Sequence, residues 1–233
     1  LEEWCGARIN QEVRELTQSR DPSYEEVQTN AETLRVRMEL GVRPACSLAK
    51  VLEDSYALKI FHDDLGEDGS GCSVKGQFGW AVLLNMREAP WRRNFSLAHE
   101  LFHLLAPPLG VTHDRLEQLA NVFASALLLP SEPVIQQVNA RVNDGSMEYV
   151  DLVEVAREFA VSSEALLWRL RNLKRLPTET VQSVLQDPEF RAIDRSTFGR
   201  WDPPRVLPDR YLRLCLLAYR KGRIGISKLA EYM

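Results

Sequence analysis

The stretch AHELFHLL, residues 98–105, sets two histidines and a glutamate into an otherwise apolar run. Its spacing predicts a helix, and on a helix residues four apart lie one turn above another. His99 and His103 therefore project from one face, close enough to share a single tetrahedral ion. Glu100 is offset from them, so that its carboxylate reaches a water on that ion without taking a ligand position. H-E-x-x-H on a helix is the pattern in which two imidazoles hold zinc and the glutamate serves as general base for peptide hydrolysis.

A hydrolytic zinc centre needs three protein ligands and one open position. The metzincin continuation of the motif requires glycine at 106 and histidine at 109, where this chain has Ala106 and Leu109. The following run, THDRLEQLANVFASALLLP, reads as a second helix from about Thr112 to Pro130. It offers Glu117 as third ligand to one Zn2+ per chain. Asn121, one turn later, is placed to accept from a ligand imidazole N–H and so fix its tautomer. Ala120 and Ala124 leave room for the two helices to approach closely. His113 and Asp114 are the rival ligands, at the frayed start of the helix.

Around this pair the chain reads as α+β. Two helices are expected before residue 42, with Val27, Ala31, Leu34 and Leu40 on one face of the second, and another helix over 47–55. YALKIF (56–61) and GWAVLLN (79–85) read as strands of a small antiparallel sheet, and HDDLGEDGSGCSVKGQ between them as loop. Asn94 or Ser96 is expected to cap the histidine helix, which Pro107 and Pro108 must end. Beyond residue 133 the pattern is helical, which suggests a peptidase-type domain over 1–140 and an all-α region over 141–233.

Within that region, 151–175 has helix-turn-helix spacing, with Ala160-Val161-Ser162 as the turn and Leu166, Leu167 and Leu170 as anchors. Arg169, Arg171, Lys174 and Arg175 are its candidate contacts to nucleic acid or a protein partner. Ala160 stands where glycine would relieve the turn, and Glu164 points a negative charge at any polyanion. In the tail, Leu212, Cys215, Leu216 and Tyr219 share one helix face. The formal charge of −4 argues against a chain devoted to coating phosphate backbone. No apolar run approaches the roughly 18 residues of a membrane span, and the N-terminal residues lack a signal-peptide pattern, so a cytoplasmic protein is expected. Cys72, ahead of the second strand, is a candidate fourth ligand that would hold a zinc centre latent.

RRNFSLAHELFHLL followed by RLEQLANVFASALLLP closely resembles the ImmA/IrrE zinc peptidases, over roughly residues 30–135. The resemblance implies His99, His103 and Glu117 as ligands and Glu100 as general base, as the spacing does. Phe102 departs from the glycine common at its position. The resemblance further implies a zinc endopeptidase that cleaves a helix-turn-helix repressor to release stress, DNA-damage or mobile-element genes. The competing reading is a DNA-binding transcription regulator with a non-catalytic metal site.

Overall fold

The computed structural model describes residues 1–7, 16, 19–67, 69–77, 79–143, 145–196 and 201–233. Their elements run α1 (Glu2–Cys5), α2 (Tyr24–Arg37), α3 (Leu48–Tyr56), β1 (Lys59–Asp63), β2 (Gly71–Gly76), β3 (Gly79–Asn85), α4 (Pro90–Leu105) and α5 (His113–Leu128). There follow α6 (Ser131–Asn139), α7 (Tyr149–Glu158), α8 (Ser163–Asn172), α9 (Thr178–Gln186), α10 (Pro188–Ser196), α11 (Asp209–Arg220) and α12 (Ile226–Tyr232). Of the first expected helix only α1 falls among the described residues, since 8–15, 17 and 18 lie outside them. None of the described helices is long and apolar enough to cross a membrane.

The sheet is mixed, not antiparallel. β1 pairs with β3 in parallel, β2 pairs with β3 antiparallel, and the order is β1-β3-β2. Only two residues separate β2 from β3, which forces the antiparallel pair. The most apolar strand, β3, takes the centre, while β2, whose Val74 is exposed, takes an edge where polar and glycine residues are tolerated. β2 arises inside the stretch read as loop. Asn85, buried at the end of β3, anchors the remaining loop by donating to the carbonyls of Gly66 and Gly69 at 2.8 and 2.6 Å.

β1 is covered on its other side by the segment before α11. The His62 main-chain N–H donates to the Val206 carbonyl at 3.0 Å, and its Nδ1 lies 2.9 Å from the Arg205 carbonyl oxygen. Burial holds the His62 imidazole below its ordinary value of 6.5, and burial acts in the same direction on His103. At these two imidazoles the native state therefore binds fewer protons than the unfolded chain, and their contribution to stability rises with pH. The penalty sets in as pH falls through 6.5 and is complete below the lowered native values. Urea unfolding of metal-free protein is expected to show lower stability at pH 5 than at pH 7, and a smaller loss for His62→Gln, which keeps a donor toward Arg205.

α4 begins at Pro90, whose fixed φ suits the first helical position, four residues ahead of the expected Asn94 cap. The side chains of Asn94 and Ser96 are used elsewhere: Asn94 Nδ2 donates to the Ala160 carbonyl at 3.0 Å, and Ser96 Oγ to Glu88 Oε2 at 3.1 Å. α5 starts as read, with the Thr112 hydroxyl accepting from the Arg115 N–H at 3.3 Å. The apolar stripe Val27, Ala31 and Leu34 of α2 packs on α5, where Ala120 and Ala124 are fully buried.

One hydrophobic core joins these helices to α7 and α8, so the packing continues across residue 140. α7 and α8 are joined by a short connection in which Ser162 Oγ caps α8, accepting from the Ala165 N–H at 3.1 Å. Ala160 adopts φ +52°, a left-handed conformation that costs a side-chain-bearing residue more than glycine. Ala160→Gly is expected to stabilise the protein by about 0.5–1 kcal/mol in denaturant titration, the relief being partly offset by the freer unfolded chain.

A second small cluster joins Cys5 of α1 to Leu214 and Ala218 of α11. This corrects the reading of the tail: Leu216 and Tyr219 are exposed, and the buried stripe is Leu214, Cys215 and Ala218. Both stripes have helical spacing and share Cys215. Which of them packs is decided by α1, far away in sequence.

Candidate metal centre

α4 and α5 lie side by side and bring three half-buried side chains to one point. His99 Nε2 is 3.1 Å from both His103 Nε2 and Glu117 Oε2, and His103 Nε2 is 3.4 Å from Glu117 Oε1. Ligands at zinc distances of about 2.0–2.1 Å in a tetrahedron stand about 3.3 Å apart, so the donor set and its spacing fit that ion. The three ligand atoms lie within 4.8 Å of one another and form the one such cluster among the described residues. His113 and Asp114 stand outside it.

The electrostatics favour a cation. Burial, then the neighbouring His99, hold the His103 imidazole below its usual value and so neutral, as a metal ligand must be. His99 Nδ1 lies 3.0 Å from Asn121 Oδ1. An amide oxygen only accepts, so Nδ1 carries the proton and Nε2 presents its lone pair toward the other two ligands. Helical periodicity supplies this second contact, because Asn121 lies one turn beyond Glu117 on α5.

Glu100 is not one of the clustered ligands but borders the same cleft, and the Ser73 hydroxyl of β2 donates to its Oε2 at 2.7 Å. Ser73 was missed in the sequence because its strand was read as loop. Only Cys72 and Val74 alternate as apolar positions in GCSVKG, too weak a signal to mark the strand. Gly71 lets the strand come so near: a Cβ there would meet the Leu83 carbonyl oxygen at 3.0 Å and Glu100 Cγ at 3.5 Å. Glu88 braces the same corner, accepting from Ser70 Oγ at 2.8 Å, from Arg92 Nε at 2.9 Å and from Ser96.

Two other expected placements are corrected. Cys72 is exposed, one residue along β2 from Ser73 and hence on the opposite face of the strand, and it is not brought into the ligand cluster. Arg169 is 1% exposed, and its guanidinium is spent on the Leu129 carbonyl, Gln28, Glu32 and Ser131. It has no surface to offer a nucleic acid. Arg171, Lys174 and Arg175 are exposed as expected, Arg171 donating to Thr178 and Arg175 to Asn139.

The profile of the M78 peptidase family, described as IrrE N-terminal-like domain, matches residues 54–171. The chain belongs to this family. The matched span covers the sheet, α4 and α5, and it reaches through α7 into α8, so the α7–α8 pair lies within the family domain. The chain is also similar to the radiation response metalloprotease IrrE of Deinococcus radiodurans, 34% identical over 109 residues. That likeness covers 41% of this chain and 32% of the relative, about a third of its length. The matched span is thus a peptidase-family domain, and among the described residues His99, His103 and Glu117 are the cluster suited to a metal.

Proposed function

We propose that this chain is a zinc-dependent endopeptidase that cuts a helix-turn-helix transcriptional repressor, thereby switching on stress, DNA-damage or mobile-element genes. The observation that carries the reading is the convergence of His99, His103 and Glu117 with the Glu100 carboxylate beside them. Zinc bound there supplies Lewis acidity, polarising a scissile carbonyl and lowering the pKa of water to about 7. Glu100 then takes the proton of the attacking water and delivers it to the departing amine. Ser73 keeps the Glu100 carboxylate pointed into the cleft, and Asn121 holds the His99 ring in place.

Open space on both sides of the cluster supports cutting within a chain. A cleft of about 1160 Å3 reaches from His99 and Glu100 toward α8, and a smaller hollow of about 370 Å3 lies beyond His103, against Pro107 and Pro108. The edge strand β2 borders the cleft through Gly71, and among the described residues no further strand pairs with it. An extended peptide can add to that edge by main-chain hydrogen bonds. The relative's name, a metalloprotease of the radiation response, supports a role in stress signalling.

The test is to incubate the protein with the helix-turn-helix repressor encoded beside its gene, with and without zinc and DNA, and to weigh the fragments by mass spectrometry. Two fragments from one cut, dependent on zinc and on Glu100, are expected. A repressor left intact under all four conditions overturns the reading.

A further inference from the structure

We infer that α8 is a wall of the substrate cleft and selects a large apolar side chain of the peptide being cut; this rests on the peptidase reading above. The buried face of α8, with Ser163, Leu166, Leu167, Arg169 and Leu170, is packed into the protein. Its other face, with Glu164, Ala165, Trp168 and Asn172, lines the same cleft as His99, Glu100 and Glu117. The side of α8 turned away from the core is thus the side that borders the cleft.

Aromatic surface gathers where α8 meets the cleft. Trp168 and Phe95 pack on the core with one side and face the cleft with the other. Trp91, one turn before Phe95 on α4, and the exposed Trp201 border the same cleft and meet edge to face, ring centroids 5.5 Å apart. Of the five tryptophans in the chain, these three border one cleft beside the ligand cluster. Surface of this kind, left open to water, stabilises a complex when an apolar group covers it.

A second, independent observation points to a ligand. On α5, Glu117, Asn121 and Ser125 succeed one another at four-residue intervals and all border the cleft. Ser125 is 6% exposed, and among the described residues its hydroxyl has no hydrogen-bond partner. A buried hydroxyl left unpaired is costly, and a bound peptide reaching past Asn121 would satisfy it. The occupant is therefore a peptide with a phenylalanine, tyrosine, leucine or similar side chain next to the bond cut, its main chain within reach of Ser125.

The experiment uses amidated nonapeptides labelled with fluorescein at the N-terminus that differ only in the central residue: Phe, Leu, Ala, Asp or Lys. Binding to zinc-loaded Glu100→Gln protein is read by fluorescence anisotropy, and cleavage by the parent protein by mass spectrometry. The Phe and Leu peptides are expected to bind at least about ten-fold tighter than the Ala and Asp peptides. Trp168→Ala should erase that ratio, with Trp201→Ala, at an exposed position that folding does not need, reducing it. Ser125→Ala should weaken all five peptides alike. An unchanged Phe-to-Ala ratio in both tryptophan variants overturns the inference, whether or not any peptide is cut. Trp168-dependent binding without cleavage by the parent protein leaves the subsite standing and removes the peptidase reading instead.

Discussion

Glu100→Gln is expected to lower the rate of peptide cleavage about 10³-fold while leaving the zinc content unchanged. General acid–base catalysis by a positioned side chain contributes roughly 10²–10⁴-fold, and glutamine cannot take the proton of the attacking water at any pH near neutrality. The amide is otherwise a close replacement. Its oxygen still accepts from the Ser73 hydroxyl, which now donates to Oε2 at 2.7 Å. The cluster of His99, His103 and Glu117 does not include residue 100, so the metal donors are untouched. Steady-state cleavage of the repressor, paired with metal analysis of the same sample, reads both halves of the expectation. A variant that keeps more than a tenth of the activity would remove Glu100 from the chemistry.

Arg169→Ala carries the largest effect on stability, about 3 kcal/mol, or a melting temperature lower by roughly 10 °C. The guanidinium lies in the interior, where burial pulls its pKa down to about 10 against the opposing charge of Glu32, so it remains a cation at neutral pH. It binds the end of α5 through the Leu129 carbonyl at 2.9 Å, α2 through Gln28 at 2.8 Å, and the start of α6 through Ser131 at 3.2 Å. Truncation leaves a cavity and strands the Leu129 carbonyl, which packing excludes from water. Arg169→Lys is expected to recover only part of the loss, because one ammonium cannot reach all three elements. Thermal unfolding of the two variants checks the order, and equal melting temperatures for Ala and native protein would contradict it.

The helices of the centre were legible because their signals are local. The histidine spacing, the Pro107-Pro108 stop, the Thr112 cap and the Glu117-Asn121 pair all lie within a few residues of the positions they govern. β2 was not legible: its Gly71, Cys72 and Lys75 give little apolar alternation, and its pairing with β3 is a matter of backbone hydrogen bonds. Parallel pairing of β1 with β3 leaves no mark on either strand taken alone. Pro90 did announce the start of α4, but Asn94 and Ser96, good caps by residue type, competed with it and proved to serve Ala160 and Glu88. Arg169 illustrates the deeper limit. On α8 it occupies a position that reads as surface by type and as core by period, and only Gln28, Glu32 and Leu129, distant in sequence, decide between them. The same distance hid the cleft-facing side of α8.

The claim that everything else requires is that His99, His103 and Glu117 together hold one metal ion. Purified protein, dialysed against micromolar zinc and then against metal-free buffer, should retain one zinc per chain by plasma mass spectrometry. Glu117→Ala and His103→Ala, each still folded by circular dichroism, should retain almost none. A Glu117→Ala protein that kept a full equivalent of zinc would contradict the account.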